Sequence, residues 1–180
     1  MEYTEKDLVK IAKRENNTKR NYLVVDPLQG KHIPVVPSKA LDLFAALADT
    51  FREKYKDEKL LLVGFAETAT AIGAQAAITV GADYIQTTRE VIPGVNYLFF
   101  SEEHSHATEQ KLVKDDIDRA AAETDRIIFI EDEVTTGKTI RNIISILDRE
   151  YDGKFKYSVA SLLNGMCEEN LERYKRQGIS

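Results

Sequence analysis

A chain of 180 residues can bury one full hydrophobic core and is short for two. Hydrophobic residues at 43% beside 31% charged ones suit a globular protein, and no stretch reaches the apolar length of a membrane span. A formal net charge of -5 lacks the dense cationic face that sequence-independent nucleic-acid binding requires, so neither nucleic acid nor membrane is an expected partner and small ligands are. The opening MEYTEKDLVKIAKREN carries no apolar signal segment, and Cys167 has no second cysteine to pair with. A cytoplasmic location is therefore expected.

In chain order, Thr4 with Asp7 predicts a capped short helix bearing Leu8 and Ile11 on one face. NYLVVDPLQGKHIPVV then predicts two short strands around a turn at Pro27 to Gly30, a peripheral β element. Ser38 is the expected N-cap of an amphipathic helix over 39–56, with Leu41, Phe44, Leu47, Phe51 and Tyr55 recurring at helical spacing. From LLLVGF onward the chain alternates. A small-residue helix closes near Gly81, ADYIQTTR and NYLFFS are strand candidates, DDIDRAAAET is helical, RIIFIE is a strand, KTIRNIISILDREY a helix and FKYSVASLLN a strand. Strands alternating with helices predict an α/β fold, a Rossmann-like, mostly parallel sheet flanked by helices, with a small N-terminal hood. One domain over 1–180 is expected, 1–37 forming the helix and hood and 38–180 the core. The helix in ENLERYKRQGIS stands where another strand is expected, which suggests a piece of something longer.

The stretch RIIFIEDEVTTGKTIRN concentrates the chemistry. If Ile127 to Ile130 is a central strand, Glu131 and Asp132 emerge at its carboxyl end, where ligands bind in such sheets. Thr135, Thr136, Gly137, Lys138 and Thr139 then form a loop and first helical turn, whose free N–H groups and dipole favour a phosphate monoester. Two carboxylates just upstream repel a polyphosphate but suit a sugar diol, or a Mg²⁺ bridging to one. The pattern predicts a sugar phosphate. A P-loop reading of GKT fails on spacing, because the first glycine of G-x-x-x-x-G-K-[ST] would fall on Asp132. The plain alternative is a solvated turn decorated by acids.

IIFIEDEVTTGKT resembles the phosphoribosyl-pyrophosphate (PRPP) motif of type I phosphoribosyltransferases. NYLVVDPLQGKHIPVVPSKAL, GFAETATAIG, TTREVIPGV and SEEHSHATEQ resemble the orotate-phosphoribosyltransferase-like proteins encoded with tellurite-resistance (ter) gene clusters. The resemblance implies displacement of pyrophosphate from the ribose anomeric carbon by a base-like or small nitrogen nucleophile, with Mg²⁺ as cofactor, homodimers common and a second, C-terminal domain in many relatives. It assigns Glu131 and Asp132 to the ribose hydroxyls and Mg²⁺, Val134 to Thr139 to the 5-phosphate, and Phe65, Ala66, Glu67 and Thr68 to the pyrophosphate loop. Lys138 stands where a small residue is common, and either serves the phosphate or points to solvent. Glu67 stands where relatives carry basic or Gly-rich sequence, and is read equally as a helix N-terminal acid. Arg89 is the candidate to neutralise pyrophosphate, or a surface strand-end arginine. His104 and His106 are read as a lid reaching the substrate, as a solvated loop or, with Glu102 and Glu103, as a metal site. Lys31 and His32 either shape the acceptor hood or sit in a plain exposed turn. Two functions follow: a transferase, or a non-catalytic PRPP- or nucleotide-binding regulatory protein encouraged by Glu67.

Overall fold

Four apolar residues, Ile127 to Ile130, are almost wholly buried in a nine-residue central strand and set the plan of the fold. The computed structural model describes residues 3–13, 15, 21–31, 33–100 and 110–180. Its elements run α1 (Glu5–Leu8), β1 (Lys10–Lys13), β2 (Tyr22–Val25), α2 (Pro37–Arg52), β3 (Leu60–Gly64), α3 (Thr70–Val80), β4 (Asp83–Gln86), β5 (Tyr97–Phe100), β6 (Gln110–Val113), α4 (Lys114–Ala121), β7 (Arg126–Val134), α5 (Lys138–Glu150), β8 (Lys156–Asn164) and α6 (Glu168–Arg176). The central sheet has the order β4-β3-β7-β8 and is parallel throughout. Parallel strands are covered on both faces, which is why β3 and β7 read as unbroken apolar runs. Burying each such side chain contributes roughly 1.5–3 kcal/mol, so these two strands anchor the core.

The chain leaves β3 toward one edge of the sheet and β7 toward the other. Since crossovers between parallel strands are right-handed, α3 and α5 lie on opposite faces, and the switch point falls between β3 and β7. The turns after those two strands therefore open into one crevice. Within α5, Ile140, Ile143, Ile144 and Leu147 form the buried stripe expected from their spacing.

The periphery departs from the sequence expectations. The first helix stops at Leu8, and Ile11 sits 67% exposed in β1. Strand β2 pairs antiparallel with β1, Lys10 opposite Val25, and residues 33–36 form no strand, so the expected hairpin around Pro27 to Gly30 is replaced by pairing with an earlier segment. Helix α2 begins at Pro37, whose missing N–H costs nothing at that position, and Val36 rather than Ser38 caps it. Its buried stripe uses Leu43, while Leu41 is 43% exposed. Strand β5 leaves the main sheet and pairs antiparallel with β6, a strand the sequence did not suggest. Residues 179–180 return onto β8, the Val159 N–H donating to the Ser180 carbonyl at 2.8 Å.

Candidate functional site

Strand β7 outruns its neighbour. Strand β3 ends at Gly64 opposite Ile130, whereas β7 continues with β8 as far as Val134. Glu131 and Asp132 thus lie on an overhang beyond β3, still within the strand, and the loop starts only after Val134. The overhang holds both acids on a rigid support at the crevice. Burial, and then the charge of Asp132, push the Glu131 carboxyl up to about 8. Burial pushes Asp132 the same way, but hydrogen bonds from Gln29 and Lys31 outweigh it and hold this carboxyl below its ordinary range. At neutral pH the pair carries one proton and one negative charge.

Both donors to Asp132 come from the turn after β2. Gln29 Nε2 donates to Asp132 Oδ2 at 2.8 Å, and Lys31 Nζ lies 3.0 Å from the same oxygen. The Lys31 side chain is 39% exposed and that of Asp132 18%, so the contact bridges hood and core at the rim. Lys31, expected either in an acceptor hood or in a plain exposed turn, sits in an exposed bend and reaches Asp132. Gln29 was not singled out, and nothing local in DPLQGK marks it.

Beyond the acids the chain turns into α5 through Gly137, whose φ of 62° is the left-handed conformation that glycine adopts at little cost. A cavity of about 120 Å³ is enclosed by Glu131, Glu133 and residues 134–140, and so contains every residue assigned to the 5-phosphate. That is space for about four water volumes. The dipole at the start of α5 favours an anion there, where the Lys138 N–H donates to Thr136 Oγ1 at 3.4 Å. Tyr174 of α6 closes this loop from behind, its hydroxyl donating to the Gly137 carbonyl at 2.8 Å.

The turn after β3 presents a second set of amides. The Phe65 N–H donates to Ile130 O at 3.1 Å and the Ala66 N–H to Thr87 Oγ1 at 2.8 Å, which leaves Glu67 and Thr68 as the unengaged amides of the four expected residues. The Ala66–Glu67 peptide is cis, and the Glu67 side chain is exposed. Thr87, fully buried, passes its own hydroxyl proton to Gln110 Oε1 at 2.8 Å, and Gln110 Nε2 returns to Ala66 O at 3.3 Å. This closed ring of three residues fixes the turn. Thr87 and Gln110 escaped the sequence reading because polar residues ending a strand look like any other rim.

Arg89 lies exposed beyond β4, after Thr88 bridges to Lys111, and has no hydrogen-bond or ion-pair partner among the described residues. His32, His104 and His106 fall outside the described residues. Among the described residues no group of three or more His, Cys, Asp or Glu converges as a metal cage, and no helix is long and apolar enough to cross a membrane.

Fold and site together define a doubly wound α/β protein with two strand-to-helix turns at its switch point and an acid pair on the overhang of β7. The chain belongs to the phosphoribosyl transferase family, whose sequence model matches residues 8–178. No curated protein matches its sequence. Among solved structures it is similar to adenine phosphoribosyltransferase from Rhodothermus marinus, with TM-score 0.61 and 17% identity over 95% of this chain and 88% of that one. The Saccharomyces cerevisiae enzyme, complexed with adenine and an imino-altritol bisphosphate, gives TM-score 0.60 and 14% identity over 94% and 90%. The Trypanosoma brucei enzyme, in complex with AMP, pyrophosphate and ribose-5-phosphate, gives 0.56 and 15% over 87% of this chain and 64% of that one. These likenesses establish the type I phosphoribosyltransferase fold.

Proposed function

We propose that the protein transfers 5-phosphoribose from PRPP to a base-like or other small nitrogen nucleophile, releasing pyrophosphate. The observation that carries this reading is that Glu131, next to Asp132 on the overhang, lines the cavity at the start of α5, an arrangement that suits a ribose diol joined to a 5-phosphate. In the reaction the anomeric C–O bond to pyrophosphate breaks, a C–N bond forms, and the nucleophile gives up its N–H proton to solvent. Asp132, charged at neutral pH, accepts from a ribose hydroxyl and faces the positive charge developing on the sugar. Glu131, largely protonated, both donates and accepts. The turn at Glu67 and Thr68 takes the pyrophosphate, with Arg89 at the same rim. His104 and His106 are proposed to reach the leaving group, and His32 with Lys31 to face the acceptor.

The pair fits a Mg²⁺ that arrives with the diphosphate, Asp132 as a carboxylate and Glu131 once it gives up its proton to the ion, since Mg²⁺ is usually held by one or two carboxylates, substrate phosphates and water. Bound there by Glu131 and Asp132, it would neutralise charge on the departing pyrophosphate. The acceptor is proposed to be a base, because three solved proteins of this fold are adenine phosphoribosyltransferases. The resemblance to the ter-cluster proteins supports a role linked to tellurite resistance. On the same reading residues 1–180 form one transferase domain that works in the cytoplasm as a homodimer.

The test is calorimetry with PRPP and Mg²⁺, followed by pyrophosphate release with adenine, other purines, pyrimidines and orotate. Micromolar PRPP binding and turnover with one acceptor are expected; no binding of PRPP sinks the proposal. A second reading, a PRPP-binding regulator without catalysis, is favoured by the exposed Glu67 beside the turn that must accept a diphosphate. It predicts PRPP binding and no turnover with any acceptor.

A further inference from the structure

Two tyrosines stand in matching places behind the two strand-to-helix turns. Tyr84 of β4 donates its hydroxyl to the Thr70 carbonyl, in the first residue of α3, at 2.8 Å. Tyr174 of α6 donates to the carbonyl of Gly137, the residue before α5, at 2.8 Å. Each phenol also occupies space that only glycine leaves open. A Cβ on Gly64 would lie 2.5 Å from the Tyr84 hydroxyl oxygen and one on Gly73 2.7 Å from its ring, while a Cβ on Gly137 would collide with the Tyr174 phenol.

Apolar packing does not account for the hydroxyls, because phenylalanine would fill the same volume. The Gly137 carbonyl already receives the Arg141 N–H at 3.1 Å, so the phenol is a second donor to an oxygen that the helix has satisfied. What it adds is orientation. In a planar trans peptide the C=O and the following N–H point in opposite directions. A phenol that grips the carbonyl on the rear side therefore fixes the plane of the following peptide; at Gly137 the amide across that plane, that of Lys138, donates to Thr136 Oγ1 at 3.4 Å within the loop. Burial lifts both phenols to about 12, so each remains a donor across the working pH range.

We propose that Tyr174 and Tyr84 are positioning residues, Tyr174 for the turn that receives the 5-phosphate and Tyr84 for the turn that receives pyrophosphate. This rests on the phosphoribosyltransferase reading above and extends it to side chains that touch no ligand.

The experiment is calorimetry of the full chain with Mg²⁺ and, separately, ribose 5-phosphate and pyrophosphate, for the parent, Tyr174→Phe and Tyr84→Phe. Loss of one hydrogen bond predicts that Tyr174→Phe weakens ribose 5-phosphate roughly three- to tenfold and leaves pyrophosphate unchanged, with the reverse for Tyr84→Phe. Each variant is the other's control, because a general loss of packing would lower both affinities together. Equal loss of both ligands in both variants, or no change in either, overturns the proposal while PRPP binding by the parent keeps the function reading intact. A parent that binds neither PRPP nor ribose 5-phosphate overturns both. Should a variant fail to fold, ¹⁹F NMR of the parent labelled with 3-fluorotyrosine decides. The Tyr174 resonance must shift with ribose 5-phosphate and the Tyr84 resonance with pyrophosphate; the opposite response, or none, rejects the assignment.

Discussion

Strand β7 carries an ionic cluster at each end, and the two are built on opposite principles. At its start Arg126 is 8% exposed, with Nε donating to Glu58 Oε2 at 2.6 Å, Nη1 to Ser158 Oγ at 2.9 Å, and its guanidinium 4.1 Å from the Tyr55 ring centre. Lys156 adds a second cation 3.0 Å from Glu58, and Tyr55, Ser158 and Ser180 close a ring of hydroxyls. Hydrogen bonds from Arg126, outweighing burial, hold Glu58 down to about 2. At the other end Glu131 is pushed up to about 8 and Asp132 has only donors borrowed from the hood. The first cluster spends its charge on the fold, and the second keeps charge unspent at a crevice. Carboxyl shifts in opposite directions at the two ends of β7, Glu58 lowered and Glu131 raised, thus distinguish a structural ion pair from a candidate site.

The contrast can be broken at four points. Glu58→Gln should cost about 3 kcal/mol at pH 7 in urea unfolding, since it leaves the buried Arg126 short of its partner. Glu58 has a lowered folded pKa, so its contribution is present above about 4.5, the ordinary value, and is lost as pH falls toward about 2. The variant should lack that acid limb. Asp132→Asn should weaken PRPP binding about a hundredfold by calorimetry while barely altering stability, the reverse of the first result. Glu131 has a raised folded pKa, so ionising it opposes folding and the parent should lose stability as pH climbs from about 4.5 to about 8. Glu131→Gln should flatten that decline, a gain on the order of 2 kcal/mol near pH 8 once partial solvent contact is allowed for. Lys31→Ala should shift stability by less than about 1 kcal/mol, being a rim pair, yet raise the Asp132 pKa by NMR titration. An unchanged Asp132 would show that the hood does not govern the site.

How much of this was legible in the sequence divides along the same line. The core strands and α5 were readable because continuous apolar runs and a helical stripe encode burial locally. The acid pair and the loop through Gly137 were readable for a related reason: one strand and one turn carry them, so spacing alone places them together. Gln29, Thr87, Gln110 and Tyr174 were not, because each acts across the fold on a partner at least 21 residues away. No local pattern records such a partnership. The N-terminal strand pairing was misread for the same cause, since β2 finds its neighbour in β1 across the 13–22 connection rather than across the Pro27–Gly30 turn. Arg126, at the head of RIIFIE, was given no role from the sequence; only the meeting of β7, β8 and the Glu58 turn buries it.

The Lys31–Asp132 contact also bears on how a visitor is admitted. A diol that takes Asp132 inherits a carboxylate already stripped of much of its water and releases an ammonium at the doorway, free to greet the visitor's own anionic groups. Entry then becomes a swap of partners, and the affinity measured from outside understates the grip within by the strength of the bond surrendered.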